Sequence, residues 1–119
     1  MRRIAALAAA MLIMTPQTAG AHAFLDHSDP AVGSTVPAPA VMHLWFTQQL
    51  EPAFSSVAVT DRSGATVNEG AAAINPTNRS ELDVKLKSLQ PGTYKVKWHV
   101  LSVDTHTTEG DFTFNVRGG

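Results

Sequence analysis

The sequence predicts an all-β domain, a small sandwich or barrel, and three observations lead there. Apolar and polar residues alternate with a period of two in several short runs, turn-forming residues separate those runs, and no stretch has a convincing helical period. Alternation of this kind fits antiparallel sheets with one face inward and one face wet.

The elements follow in order. His22 to Pro39 is rich in Pro, Gly, Ser and Ala, with Asp29-Pro30 and Val32-Gly33-Ser34 as turn signals. Met42, Leu44 and Phe46 alternate with His43 and Trp45, which predicts a strand with the first set inward. Val57 and Val59 continue the pattern until Asp61-Arg62-Ser63-Gly64 turns the chain. Asn68 to Asn78 reads as loop, with a short helical turn possible over Ala71 to Ala73. Leu82, Val84 and Leu86 alternate with Asp83 and Lys85, and Leu89-Gln90-Pro91-Gly92 forms the next turn. Tyr94, Val96, Trp98 and Val100 then face one way, while Lys95, Lys97 and His99 face the other. Tyr94, just past Pro91-Gly92, is placed either as a tyrosine corner or as a plain core aromatic. Phe112, Phe114 and Val116 mark the last strand.

Composition removes several function classes. The 119 residues contain no cysteine, so there is no disulfide, thiolate metal site, iron–sulfur cluster or cysteine nucleophile. A formal net charge of −1 argues against nucleic acid as a partner, because that partner calls for a basic face. No internal repeat is present.

The N-terminus differs from the remainder. Arg2 and Arg3 precede an apolar run from Ile4 to Met14, and Ala19-Gly20-Ala21 follows, the three-part pattern of a secretory signal. The run is shorter than the roughly 20 residues that span a bilayer. Residues 1–21 are therefore expected to be cleaved, leaving 22–119 as a single mature domain outside the cytoplasm. Those 98 residues carry seven basic and ten acidic side chains, a formal charge of −3. They retain all five histidines and one methionine, Met42, and they begin at His22.

As a free N-terminus, His22 offers its α-amine and imidazole Nδ1 to one ion in a single chelate ring. The amine ionises near pH 8, so a metal displaces its proton readily. Paired nitrogens suit Cu(II), which favours tetragonal N and O donors. Asp104 and His106 lie two apart in Ser102-Val103-Asp104-Thr105-His106, and on an extended segment such residues share a side. The four donors would form a square-planar Cu(II) set. Asp-x-His is also common in polar turns, so spacing alone leaves a purely structural reading open beside the metal reading.

These residues together resemble a known family. His22-Ala23-Phe24-Leu25 with Ser28-Asp29-Pro30-Ala31-Val32-Gly33-Ser34, and Met42-x-Leu44-x-Phe46, are similar to the opening of the CopC (YobA-like) periplasmic copper-resistance proteins. Leu89-x-Pro91-Gly92-Thr93-Tyr94-x-Val96-x-Trp98, then Val100-x-Ser102-x-Asp104-x-His106 and Gly110-x-Phe112-Thr113-Phe114-x-Val116, resemble its C-terminal signature. The resemblance spans the mature chain. It implies a Greek-key β-sandwich of about seven strands, cupredoxin-like or immunoglobulin-like. It also implies one Cu(II) per chain held by His22, Asp104 and His106, with a role in copper carriage or sequestration and no catalysis. A CopD-type inner-membrane copper transporter is the implied partner, and a monomer is expected.

Three departures from the family pattern stand out. With Met42 alone and inward, a methionine-rich Cu(I) site is not expected. Phe46-Thr47-Gln48 replaces the family's Phe-Ser-Glu, so an amide stands where a carboxylate is usual. Thr107 replaces a common proline after the ligand histidine. Of the other histidines, His27 is expected to be exposed, with an auxiliary ligand role as the alternative; His43 is expected to be exposed or packed on the sheet; and His99 is a candidate support for the site. Two other classes compete. One is a copper monooxygenase using the same N-terminal chelate, although Asp104 would fill a position that O₂ needs open. The other is a β-sandwich interaction domain without metal.

Overall fold

The computed structural model describes residues 24–118. His22 and the expected signal segment lie outside the described residues. The chain forms β1 (Leu25–Asp29), β2 (Thr35–Val36), β3 (Val41–Phe46), β4 (Ser56–Thr60), β5 (Ala73–Asn75), β6 (Asn78–Lys85), β7 (Gly92–Leu101) and β8 (Thr107–Val116), with one 3₁₀ turn at Pro52–Phe54. The strands make two four-stranded sheets, ordered β1-β3-β6-β5 and β2-β8-β7-β4. This is the expected all-β sandwich of cupredoxin-like form.

The alternating residues pack between the sheets. Met42, Leu44 and Phe46 from β3 and Leu82 and Val84 from β6 face Val57 and Val59 from β4, Tyr94 to Val100 from β7, and Phe112, Phe114 and Val116 from β8. The partners of those residues, Lys95, Lys97 and His99, are exposed as the period required. Burying such a face supplies about 25 cal/mol per Å² of apolar surface.

Three expectations change. β1 and β2 occupy the Pro- and Gly-rich stretch that reads as turns, because pairing to β3 and β8 supplies the order that local propensity lacks. β2 runs parallel to β8, an exception to the otherwise antiparallel pairing among the described strands. Ala71 to Ala73 is not helical. Ala73 opens β5, whose Ile74 pairs with Leu82 and packs on the core edge.

Tyr94 fills both roles open to it. Its ring is 5% exposed and stacks on Phe114 at 5.6 Å, and its hydroxyl donates to Gln90 O at 2.6 Å. It therefore ties the Leu89–Gly92 turn to the core. Gly110 lies opposite Trp98 in the β7–β8 register, and the indole lies over it. A Cβ there would stand 2.6 Å from Trp98 Cζ2, so the position excludes any larger residue. The freed space lets Trp98 meet the edge of Phe46 at 5.3 Å.

Two outcomes follow for thermal unfolding monitored by circular dichroism. Tyr94→Phe leaves Gln90 O without its hydroxyl donor and should lower stability by about 1 kcal/mol, a fall in Tm of about 5 °C. Gly110→Ala should cost about 1–3 kcal/mol through overpacking and should alter the near-UV signal of Trp98. An unchanged Tm in either variant would contradict the corresponding contact.

Candidate metal centre

Ser102 to His106 closes the β7–β8 hairpin beyond the Leu101–Thr107 pair. Ser102 N donates to His106 O at 3.0 Å and Thr105 N donates to Ser102 O at 2.9 Å, so the loop is a compact turn. Thr105 has φ 70°, a left-handed conformation uncommon for a β-branched residue. The loop is therefore not extended, and the side-sharing expected of residues two apart is not what aligns Asp104 and His106. The turn folds them together, leaving His106 Nδ1 3.3 Å from Asp104 Oδ1. Neighbouring ligands of one first-row ion are separated by about 3 Å, given metal–ligand bonds near 2 Å.

Ser102 organises this pair. It is fully buried, and its hydroxyl donates to Asp104 Oδ1 and also lies 3.2 Å from His106 O. That bond, followed by the pairing with His106, outweighs the slight burial and holds the Asp104 carboxyl below its ordinary range. Asp104 is thus an anion throughout neutral pH, as a metal ligand must be. In the sequence, Ser102 carries no role of its own beyond its place in the motif; a serine two before the aspartate is the signal that marks it.

The hairpin loop is fastened to the other end of β3. Leu50 bridges to Ser102, Val103 N donates to Gln49 O at 3.0 Å, and Glu51 N donates to Leu101 O at 2.8 Å. Thr47, two residues before Gln49, accepts Phe24 N on its hydroxyl at 2.9 Å and donates its own N–H to Phe24 O at 2.9 Å. One short segment, Thr47 to Gln49, thus holds both the start of the described chain and the Asp104–His106 loop. Gln48 lies at its centre and is mostly buried from solvent on neither side, being of intermediate exposure.

The remaining histidines lie elsewhere. His99 is exposed on β7 opposite Glu109, and the hydrogen bonds that order the Asp104–His106 loop run through Ser102 and Gln49 instead. His27 is exposed as expected, and it also bonds Asp26 at 2.7 Å and stacks on Trp45 at 4.3 Å. His43 is half-buried and bonds Asp83. Met42 is fully buried, so its thioether belongs to the core. Among the described residues no helix is long and apolar enough to cross a membrane.

Comparison with known proteins agrees with this architecture. Protein YobA of Escherichia coli K12 is 39% identical over 107 residues, covering 88% of this chain and 86% of its own. Copper resistance protein C of Xanthomonas campestris pv. juglandis is 34% identical over 106 residues, covering 84% of each. The crystal structure of CopC from Methylosinus trichosporium OB3b superposes with a TM-score of 0.75 at 35% identity, over 81% of this chain and 94% of that one. The CopC domain model matches residues 25–117, and the chain belongs to the CopC family.

Proposed function

We propose that this chain is a periplasmic copper(II)-binding protein that carries or sequesters copper. Removal of residues 1–21 frees His22, and one Cu(II) is held by the His22 α-amine and imidazole, Asp104 and His106. The observation that supports this reading most is the 3.3 Å approach of His106 Nδ1 to Asp104 Oδ1 on a loop tied, through Gln49, to the segment that also holds Phe24. Two residues of reach separate Phe24 from His22. The donors are then three nitrogens and one carboxylate oxygen, a set suited to tetragonal Cu(II).

The donor set also implies how copper leaves. One-electron reduction gives Cu(I), which prefers sulfur, and the thioether of Met42 is shut in the core. Reduction therefore weakens the site and couples release to an external reductant. Phe24, Phe54 and Val103 are exposed around the end of the sandwich that carries the loop. They give a monomeric carrier an apolar rim for docking to a CopD-type inner-membrane transporter.

Mass spectrometry of the secreted protein should find His22 first, and titration should load one Cu(II) with an EPR signal of three coordinated nitrogens. A chain retaining Ala21 loses the amine ligand, so unchanged affinity and an unchanged nitrogen count would refute the chelate. Ser102→Ala removes the hydroxyl that orients Asp104. It should weaken Cu(II) binding by about 10- to 100-fold while the far-UV spectrum stays the same.

A further inference from the structure

The outer face of the β1-β3-β6-β5 sheet carries a second gathering of ligand-type side chains, remote in sequence from the hairpin loop. Strand register brings them together: His43 on β3 lies opposite Asp83 on β6, and Trp45 lies opposite Glu81. His43 Nδ1 is 2.7 Å from Asp83 Oδ1 and 3.2 Å from Glu81 Oε2. One donor atom from each of the three residues lies within 4.8 Å of the others. These spacings bracket the separation of about 3 Å between neighbouring ligands of one first-row ion.

The surroundings hold the three groups in place. Asn75 on β5 donates through Nδ2 to Asp83 Oδ2 at 3.0 Å and to Glu81 Oε2 at 3.3 Å. His27 stacks flat on the Trp45 ring beside them, with 7° between the planes. Secondary partners of this kind orient first ligands around a metal. Glu81 is unusual on the outward side of a strand, because its side chain is only 10% exposed. Two carboxylates therefore share a partly dry site with one imidazole, and among the described residues the ion pairs of both are to His43 alone. Burial and the neighbouring Asp83 push the Glu81 carboxyl up, while the bond from Asp83 pushes His43 up against its own burial. The cluster holds excess negative charge, and a proton on His43 offsets only part of it. His43 and Asp83 remain 35% and 27% exposed, which leaves an open side for entry and for a water ligand.

We propose that His43, Glu81 and Asp83 form a second divalent-cation site, on the outer sheet face and separate from the Asp104–His106 centre, that takes a first-row transition ion through one imidazole nitrogen and two carboxylate oxygens. The ion replaces the proton between Nδ1 and the carboxylates, and that proton goes to solvent. Among divalent first-row ions such N and O donors bind Cu(II) most tightly. With fewer nitrogens and no chelating amine, this site fills after the first.

The experiment is a Cu(II) titration of the mature chain, followed by stoichiometry and tryptophan emission. Trp45 lies 5.7 Å from the His43 ring, so a paramagnetic ion there quenches it. Two equivalents are expected, the second accompanied by quenching that Trp45→Phe removes. His43→Gln and, separately, Asp83→Asn should lose only the second equivalent, with the Tm reporting that each variant is folded. The chain retaining Ala21, which lacks the amine ligand, should keep the quenching equivalent. Its persistence there separates this site from the His22 reading, whatever becomes of that one. Folded His43→Gln that still binds with the same quenching would overturn the proposal, as would a mature chain in which no bound Cu(II) quenches Trp45.

Discussion

The β7–β8 pairing is the constraint on which the rest of the molecule depends. Ten consecutive antiparallel pairs run from Gly92–Val116 to Leu101–Thr107 without a break. The inward side of this ladder supplies Tyr94, Val96, Trp98, Val100, Phe112, Phe114 and Val116, most of one core wall, which β4 and Val36 of β2 complete. A slip of one residue would turn every one of these side chains to water and bring lysines inside. Gly110 helps to fix the register, because the Trp98 ring fits only over a residue with no side chain. The same ladder sets where the Ser102–His106 loop stands, since the loop begins where the pairing ends.

Most of the fold was legible because burial on a pleated strand leaves a period-two trace. Met42 to Phe46 and Tyr94 to Val100 are buried on the side their alternation indicated. β1, β2 and β5 left no such trace. Each lies at a sheet edge and is five residues or fewer; β1 and β2 owe their order to strands farther along the chain, and β5 to β6 just after it. Asp104 and His106 were legible as a pair from composition and spacing, but the reason for their approach was not. The turn, the left-handed Thr105 and the buried Ser102 hydroxyl align them, and these depend on tertiary contacts with Gln49 and Leu50. The His43, Glu81 and Asp83 cluster was illegible for a related reason. Nothing local joins residue 43 to residues 81 and 83; only the β3–β6 register does.

The two groups of polar side chains are built on different supports. The hairpin loop is held by a hydroxyl and a few backbone bonds, with a β-branched residue in a costly conformation at its tip. A loop of that kind can adjust to what binds it. The sheet cluster is drawn from two adjacent strands, β3 and β6, whose register is fixed by ladder bonds, and both carboxylates are held by Asn75 on β5. Little reorganisation is then needed to gather its donors, which favours binding even where the ligands are few.

Both groups share hard, nitrogen and oxygen donors. The chain has no cysteine, and Met42 is committed to the core at 0% exposure. Exposing that thioether would open a cavity between the sheets, and deleting a buried side chain of this size costs about 2–5 kcal/mol. The fold therefore cannot lend its one described sulfur to copper without losing much of its stability. Among the described residues, every donor it can offer at low cost is nitrogen or oxygen, the donor type that the proposed Cu(II) reading calls for.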